Sequence, residues 1–445
     1  PDGEKVVFEA LGKIWVRDIK DGKHKRLTRL DDDINELFPQ WSRDGNDIVF
    51  STWNDQQQGT VSVVSARGGK AKVLTNEPGK YVYRKSRGGY MTPRTWSQEP
   101  GLYKVDIKGK QSTKLTASGH QPQFGNDSDR VYFMDSGETP EFASIGMNGF
   151  EKRTHYTSDH ATEFRLSPNG EHLAFAERFR VYVTPFAKHG ETIAIGPKAS
   201  NLPITQLSAR AGESISWNGK NNQLYWTLGP DLYQADVDTQ YTKSETKVDP
   251  KITSIGFKDK ADVPRGTVVF TGGKVITMEN DQVIDNGVVI VKDIKIVSVG
   301  DANTIIPKNA QVIDISGKTI MPGIFDAHAH GGQADDEIIP QQNWALYSGL
   351  SLGVTSIHDP SNDTTEIFAA SEQQKAGNIV GPRIFSTGTI LYGANLPGYT
   401  SHVDSLDDAK FHLERLKKVG AFSVKSYNQP RRDQRQQIIA AAREL

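Results

Sequence analysis

Short apolar stretches alternate with polar turn residues along the first 250 residues of the chain. Runs such as Asp47-Ile48-Val49-Phe50 and Arg130-Val131-Tyr132-Phe133 have the length and the β-branched and aromatic content of strands. Before the first of these runs stands the string Pro39-Gln40-Trp41-Ser42-Arg43-Asp44-Gly45, which is typical of a turn that leads into a strand. Related strings occur at residues 1–3, 122–127, 166–170 and, in weaker form, 215–219. The first 250 residues are therefore predicted to consist of repeated strands and turns.

The spacing of these strings indicates the kind of repeat. Asp2 and Asp44 are 42 residues apart, Asp44 and Asp127 are 83 apart, and Asp127 and Asn169 are 42 apart, so the period is about 42. Periods of this length with several strands per repeat are typical of β-propeller blades. The strings resemble those of TolB-like propellers. We predict a propeller over residues 1–250, incomplete at its N-terminus, in which each Asp-Gly turns the chain and has no catalytic role.

From residue 321 onward the pattern changes to alternating strands and helices. Strands are predicted at 353–359, 382–388 and 421–427, and helices at 365–377 and 405–420. Ser405 is the predicted N-cap of the second helix, and Asp407 and Asp408 place negative charge in its first turn. This alternation is typical of βα units around a parallel barrel.

Two histidines close the apolar run at residues 320–330. His328 and His330 are two positions apart, so on a strand both imidazoles would point to one side, as two ligands of one divalent ion must. Asp326 precedes them and is a candidate to orient a ligand imidazole. The same spacing also arises by chance on exposed strands. The flanking Met321-Pro322-Gly323 favours the metal-binding interpretation because it introduces a short strand just before the pair.

This string resembles the first barrel strand of the amidohydrolase superfamily, in its imidazolonepropionase-like and metal-dependent prolidase-like branch. The resemblance implies a small composite β-sandwich at 262–320 and a (β/α)8 TIM barrel, of which 321–445 would form the first half. The expected fold is therefore multidomain: an all-β propeller, a β-sandwich and a TIM barrel. Because half a barrel leaves strand edges unpaired, we expect the chain to be a fragment of a longer protein, or to be completed by a second chain or by a homo-oligomer.

Lys425 lies on the predicted fourth strand, where barrel strands present side chains to the catalytic mouth. In binuclear members of the resembled family the fourth-strand lysine becomes a carbamate that bridges two ions. The resemblance therefore implies a divalent metal, with zinc the expected ion, bound as one or two ions by His328, His330 and Lys425, and it allows a carbamate on Lys425. The alternative is a lysine that extends from a strand end into water.

Four further residues near predicted strand ends are candidates for substrate binding. His358 lies at the mouth end of predicted strand two, just before the string Asp359-Pro360-Ser361-Asn362, which is also ordinary turn chemistry, while Tyr392 and Tyr427 follow strands three and four. For the two tyrosines the alternative is packing at the barrel rim. Arg431 at a helix start is placed to meet a carboxylate, although adjacent arginines are commonly a solvated surface.

The resemblance implies a hydrolase that cleaves an amide, cyclic amide or dipeptide C–N bond with a metal-activated hydroxide. The family's catalytic aspartate lies on the eighth strand, which would fall beyond Leu445, so no catalytic residue is assigned. The substrate would be a small molecule or a short peptide. The alternative from another class is an interaction scaffold, in which the propeller binds partners and the barrel is inactive.

Composition narrows the classes of partner. The 53 basic and 54 acidic residues nearly cancel, which gives no general attraction to nucleic acid. No apolar run reaches the length of a membrane span. The chain has no cysteine, which excludes disulfides and cysteine-ligated zinc. The resemblance to TolB-like propellers implies a periplasmic or exported protein, although the residues themselves are equally compatible with the cytoplasm.

Overall fold

The computed structural model describes residues 2–31, 33–75, 77–82, 99–108, 111–127, 129–137, 139–238, 241, 248–394 and 400–445. In the described ranges up to residue 254, the regular elements are all strands. These strands are β1 (Lys5–Ala10), β2 (Lys13–Asp18), β3 (His24–Arg26), β4 (Asn35–Trp41), β5 (Asp47–Trp53), β6 (Val61–Ser65), β7 (Lys72–Val73), β8 (Leu102–Val105), β9 (Ser112–Thr116), β10 (His120–Phe124), β11 (Arg130–Ser136), β12 (Pro140–Gly146), β13 (Arg153–Thr157), β14 (Ala161–Leu166), β15 (His172–Glu177), β16 (Arg180–Pro185), β17 (Ile193–Ala194), β18 (Thr205–Gln206), β19 (Glu213–Trp217), β20 (Gln223–Leu228), β21 (Asp231–Asp236) and β22 (Lys251–Ser254).

Within the described residues these strands form six sheets that follow one another along the chain. The sheets are β1–β3, β4–β7, β8–β9, β10–β13 with β17, β14–β16 with β18, and β19–β22. Apolar clusters join neighbouring sheets: Ile14 packs with Ile48, and Val181 packs with Leu224. Phe8 of the first sheet packs in one cluster with Tyr225 of the sixth. The last sheet therefore packs against the first, so that the sheets close into a ring as the blades of a propeller do.

The repeated strings lie where the sequence predicts, at the turn between two antiparallel strands. Ser42 to Asn46 connect β4 to β5, with Gly45 at φ +74°. The carboxylate of Asp44 accepts hydrogen bonds from Ser42 Oγ and from the backbone N–H of Asn46, and these bonds lower its pKa to about 2. The Asp-Gly pair in this string thus has the structural role that was predicted for it.

The segment after the propeller forms one mixed sheet, and the composite sandwich that the resemblance implies for 262–320 stays a prediction. Its strands are β23 (Thr267–Ile276), β24 (Val283–Lys292), β25 (Lys295–Gly300), β26 (Gln311–Asp314) and β27 (Thr319–Ile320). The long strand β23 pairs with β24 along one edge, and with β26 and then β27 along the other. Because both short strands use the same edge of β23, all five strands belong to a single sheet. Register shifts around Gly273 mark a bulge in β23.

The C-terminal part alternates strands and helices, as predicted. Its elements are β28 (Ile324–Asp326), α1 (Trp344–Ser351), β29 (Val354–Asp359), α2 (Thr364–Ala376), β30 (Arg383–Ser386), β31 (Ile390–Tyr392), β32 (Thr400–His402), α3 (Leu406–Lys418) and α4 (Arg432–Glu444). Strands β28, β29 and β30 form a parallel sheet in that order. Ser405 is the N-cap of α3, as the sequence indicates, and Gly377 caps the end of α2 in the left-handed conformation. Closure of a full barrel stays a prediction.

The predicted fourth strand is the exception in this part. Residues 421–427 form one isolated parallel bridge, between Leu391 and Ser426, and no continuous strand. The backbone N–H of Leu391 donates to the carbonyl of Lys425, and that of Tyr427 donates to the carbonyl of Leu391. Since β31 has only three residues, it offers too short an edge for a longer ladder.

Helix α3 lies against the propeller. The guanidinium carbon of Arg415 is 3.7 Å from the ring centroid of Phe179, at the tip of the β15–β16 hairpin. Nζ of Lys418 is 2.6 Å from a carboxylate oxygen of Asp231 at the start of β21. None of the helices in the described ranges combines the length and apolar character needed to cross a membrane.

Candidate metal centre

The histidine pair lies just beyond a strand and not on it, which corrects the sequence prediction. Strand β28 ends at Asp326, residues 327 and 328 form a turn, and His330 lies in the irregular segment that follows. The carboxylate of Asp326 accepts the backbone N–H of His328 at 3.0 Å, which bends the chain there. Asp326 thus holds the backbone, whereas we had predicted that it would orient an imidazole. The turn stays beside β29 because Ala329 donates its N–H to the carbonyl of His358.

The two imidazoles nevertheless converge on one point. Nε2 of His328 and Nε2 of His330 are 3.1 Å apart, and both side chains are exposed. Two imidazole nitrogens bound about 2.0 to 2.1 Å from a tetrahedral zinc ion lie about 3.4 Å from each other. The spacing of the pair therefore fits two ligands of one such ion. Among the residues that the structure describes, no three or more His, Asp or Glu side chains are grouped closely enough to hold a metal, so the pair supplies two ligands only.

A buried carboxylate faces the other side of His330. Oδ1 of Asp359, at the end of β29, is 3.7 Å from Nδ1 of His330, and the Asp359 side chain is 1% exposed. The hydroxyl of Ser361 is 3.4 Å from the same nitrogen. These groups lie on the side of the ring opposite Nε2, where a partner fixes the orientation of a metal-binding imidazole.

Asp359 is itself held in place. It accepts the backbone N–H of Ser361 and the side-chain amide of Asn362, each at 2.8 Å. Burial raises the pKa of its carboxyl above the ordinary value, while these two hydrogen bonds oppose that rise. The amide of Asn362 also donates to the carbonyl of Gly331 at 2.9 Å. One short network thus connects the end of β29 with the residue that follows His330.

Lys425 points elsewhere. Its Nζ lies 5.6 Å from the ring centroid of Tyr427, and no contact in the described residues joins it to the histidine pair. Its backbone position beside Leu391 follows from the parallel bridge described above. The role of Lys425 as a ligand therefore stays a prediction, because it requires another orientation of this side chain.

The four predicted substrate contacts do not meet at the histidine pair. Nε2 of His358 is 2.8 Å from Oγ of Ser423. The rings of Tyr392 and Tyr427 pack edge to face with centroids 5.3 Å apart, which is the packing alternative stated for them. Arg431 is the N-cap of α4, and its guanidinium is engaged by Asp433 at 3.2 Å and, more distantly, by Asp404. Substrate binding by these residues stays a prediction.

Sequence reasoning missed the parts played by Asp359, Ser361 and Asn362. They stand in the string His358-Asp359-Pro360-Ser361-Asn362, for which the sequence allows either substrate contact or an ordinary turn and indicates no role in orienting a ligand. The available signal was position, because polar residues at the carboxyl end of a parallel strand are placed at the site-bearing edge of the sheet.

Comparison with known proteins gives a short match to a curated enzyme. The chain is 38% identical over 77 residues to the imidazolonepropionase of Alkaliphilus metalliredigens, a match that covers 16% of this chain and 18% of that enzyme. The chain thus matches less than a fifth of the relative's length. No protein-family model matches the chain.

A prolidase and a TolB protein are among the solved structures to which the chain is similar. A prolidase complexed with N-methylphosphonate-L-proline is 26% identical, with a TM-score of 0.30, and the match covers 36% of this chain and 46% of that chain. TolB from Acinetobacter baumannii is 13% identical, with a TM-score of 0.40, and the match covers 53% of this chain and 61% of that chain. The 77-residue match confirms the resemblance read from the sequence for the amidohydrolase part of the chain.

Proposed function

We propose that this protein is a metal-dependent hydrolase of C–N bonds, acting on an amide, a cyclic amide or a dipeptide. The observation that carries the proposal is the convergence of His328 and His330, with Nε2 atoms 3.1 Å apart and a buried carboxylate behind one of the rings. The 77-residue similarity to an imidazolonepropionase supports a reaction at a C–N bond. Zinc fits the imidazole ligands and their spacing.

The residues near the histidine pair would have different roles in binding the ion. His328 and His330 would hold the ion, and Asp359 with Ser361 would fix the ring of His330 so that its Nε2 stays directed at the ion. A divalent ion bound there supplies a Lewis acid that polarises a carbonyl and lowers the pKa of water. Lys425 would contribute a further ligand after it turns away from Tyr427. The exposure of both imidazoles leaves the pair accessible to a substrate.

The test is hydrolysis by the purified full protein. We expect zinc-loaded protein to release free amino acids from a panel of dipeptides, or acid from N-acyl amino acids or cyclic amides. A chelator should abolish the activity, added zinc should restore it, and His328→Ala should lack it. His402→Ala is a matched control, because His402 is likewise a histidine at a strand end but pairs with Asp404.

If protein that contains metal hydrolyses no compound of the panel, the proposal is contradicted. Absence of both metal and activity would favour the scaffold alternative, in which the propeller binds partners and the barrel is inactive. For the compartment, we expect a periplasmic or exported protein, and this expectation rests on the TolB-like resemblance alone. Detection of the protein in the periplasmic fraction of its host would test it.

A further inference from the structure

The loop from Gly331 to Asn343 connects the histidine pair to α1. Its two ends are fixed within the C-terminal part. Asn362 donates its side-chain amide to the carbonyl of Gly331 at 2.9 Å, and Asn343 donates its own to the carbonyl of Gly332 at 3.2 Å. Because Gly331 follows His330 directly, a movement of this loop that displaces Gly331 would also displace one of the two imidazoles.

The middle of the same loop is held by the propeller. Nζ of Lys80 lies 2.6 Å from a carboxylate oxygen of Asp335 and 2.6 Å from one of Asp336. The Lys80 side chain is 6% exposed, so both ion pairs are shielded from water and are stronger than surface pairs. Ile338 of the loop is buried in a cluster with Leu37 and Trp53 of the second sheet.

A second polar contact extends this attachment toward α1. The carboxylate of Asp55, just after β5, accepts the backbone N–H groups of Gln341 and Gln342 at 3.2 and 2.9 Å. The propeller therefore contacts the loop through a lysine, an apolar cluster and a carboxylate. These contacts span most of the length between Asp335 and Gln342.

The loop makes a tight turn at the point where Lys80 contacts it. Asp336 and Glu337 have φ values of +52° and +65°, the left-handed conformation that L-residues with bulky side chains rarely adopt. These two residues are the central residues of a turn that closes through backbone hydrogen bonds between Asp335 and Ile338, at 3.0 and 3.1 Å, and the N–H of Glu337 donates to a carboxylate oxygen of Glu366 at 3.1 Å. The adjacent carboxylates of Asp335 and Asp336 both contact one ammonium, and without it they would repel each other across a short distance. Lys80 thus adds to the contacts that hold this turn by neutralising its two adjacent carboxylates.

We propose that Lys80 is a positioning residue for the histidine pair, so that the propeller controls the geometry of the metal centre through the loop 331–343. In this arrangement the propeller helps to position the histidine pair and does not act as an independent domain. The proposal rests on the proposed function for the identity of the bound ion. The dependence of the loop on Lys80 is a separate property that can be measured without any metal.

The experiment compares Lys80→Met with Lys418→Met in the full protein. Lys418 also joins the propeller to the C-terminal part, at 2.6 Å from Asp231, but it is the last residue of α3 and is not near the loop in sequence. Hydrogen exchange of metal-free protein, followed by mass spectrometry, reports on the loop. Calorimetric titration with zinc reports on the centre. We expect Lys80→Met to speed exchange within 331–343 by about tenfold or more and to weaken zinc binding by about tenfold.

Lys418→Met should leave both quantities unchanged, and Lys80→Arg, which keeps the charge, should restore most of the protection. If Lys80→Met does not fold, Asp336→Asn removes one of the two ion pairs and should give the same changes in smaller measure. Unchanged exchange in the loop of Lys80→Met or Asp336→Asn would overturn the inference whether or not zinc binds. If the loop of Lys80→Met exchanges faster than that of the wild type, but the wild type binds no zinc, the result would support the attachment of the loop by Lys80 and refute the proposed metal centre.

Discussion

Replacement of Asp359 by asparagine is the most informative change next to the histidine pair. The substitution keeps the size of the side chain and removes its charge. Oδ1 can still accept the backbone N–H of Ser361, but the new amide would face the amide of Asn362, which now donates to Oδ2 at 2.8 Å. Two donors cannot share that contact, so Asn362 must turn and weaken its bond to the carbonyl of Gly331.

The size of the effect follows from the distance between Asp359 and His330. A full positive charge on the ring, 3.7 Å from the carboxylate, would interact with it by about 4 kcal/mol at an effective dielectric constant near 20. An imidazole bound to a divalent ion carries only part of such a charge. We therefore expect the free energy of ion binding to become less favourable by about 1.4 to 2.7 kcal/mol, which raises the dissociation constant about 10- to 100-fold.

The assay is competition for zinc against a chromophoric chelator, with urea unfolding of each variant to verify the fold. Asp404→Asn is the matched control, because Asp404 lies 2.8 Å from Nε2 of His402 in a similar carboxylate–imidazole pair away from the centre. Zinc affinity should fall in Asp359→Asn and stay at the wild-type value in Asp404→Asn. Equal affinities in wild type and Asp359→Asn would refute the assignment of Asp359 as the residue that orients His330.

Two further changes test the packing and the pH dependence of the fold. Ile338→Ala should lower the free energy of unfolding, measured in urea, by about 2 to 4 kcal/mol, because Ile338 is 2% exposed. The control Val297→Ala, at a residue that is 57% exposed, should lower it by less than about 0.5 kcal/mol. Equal losses in the two variants would contradict the described core. Burial lowers the pKa of His155 from 6.5 to about 4, so the unfolded chain binds this proton more readily and stability should fall between pH 6.5 and 4, by up to about 3 kcal/mol. His155→Gln should flatten this part of the profile measured by urea unfolding, and an unchanged slope would argue against a buried neutral imidazole.

The features that the sequence predicted well are local ones. The Asp44-Gly45 turn follows from two adjacent residues and their turn chemistry, and the start of α3 follows from Ser405 and two acidic residues within one turn. The histidine pair was recognised from a spacing of two residues, although the chain turns where a strand was expected. The side chains converge all the same, because Asp326 bends the backbone and Ala329 stays bonded to β29.

The features that were not predicted depend on residues far apart in the chain. Asp359 reaches His330 only because β28 and β29 are neighbours in a parallel sheet. Lys80 and Asp335 are separated by 255 positions, so no local pattern indicates their ion pair. The fourth strand was predicted from the composition of residues 421–427, yet ladder formation also depends on the edge that the neighbouring strand offers.

The central claim, that His328 and His330 bind a divalent ion, is tested most directly by metal analysis. The full protein would be loaded with zinc, freed of unbound ions, and analysed by inductively coupled plasma mass spectrometry beside His328→Ala, Lys425→Ala and the control His402→Ala. We predict at least one zinc ion per chain in wild type and in His402→Ala, none in His328→Ala, and loss of a second ion, where one is present, in Lys425→Ala. The same zinc content in His328→Ala as in wild type, or no zinc in wild type, would contradict the account.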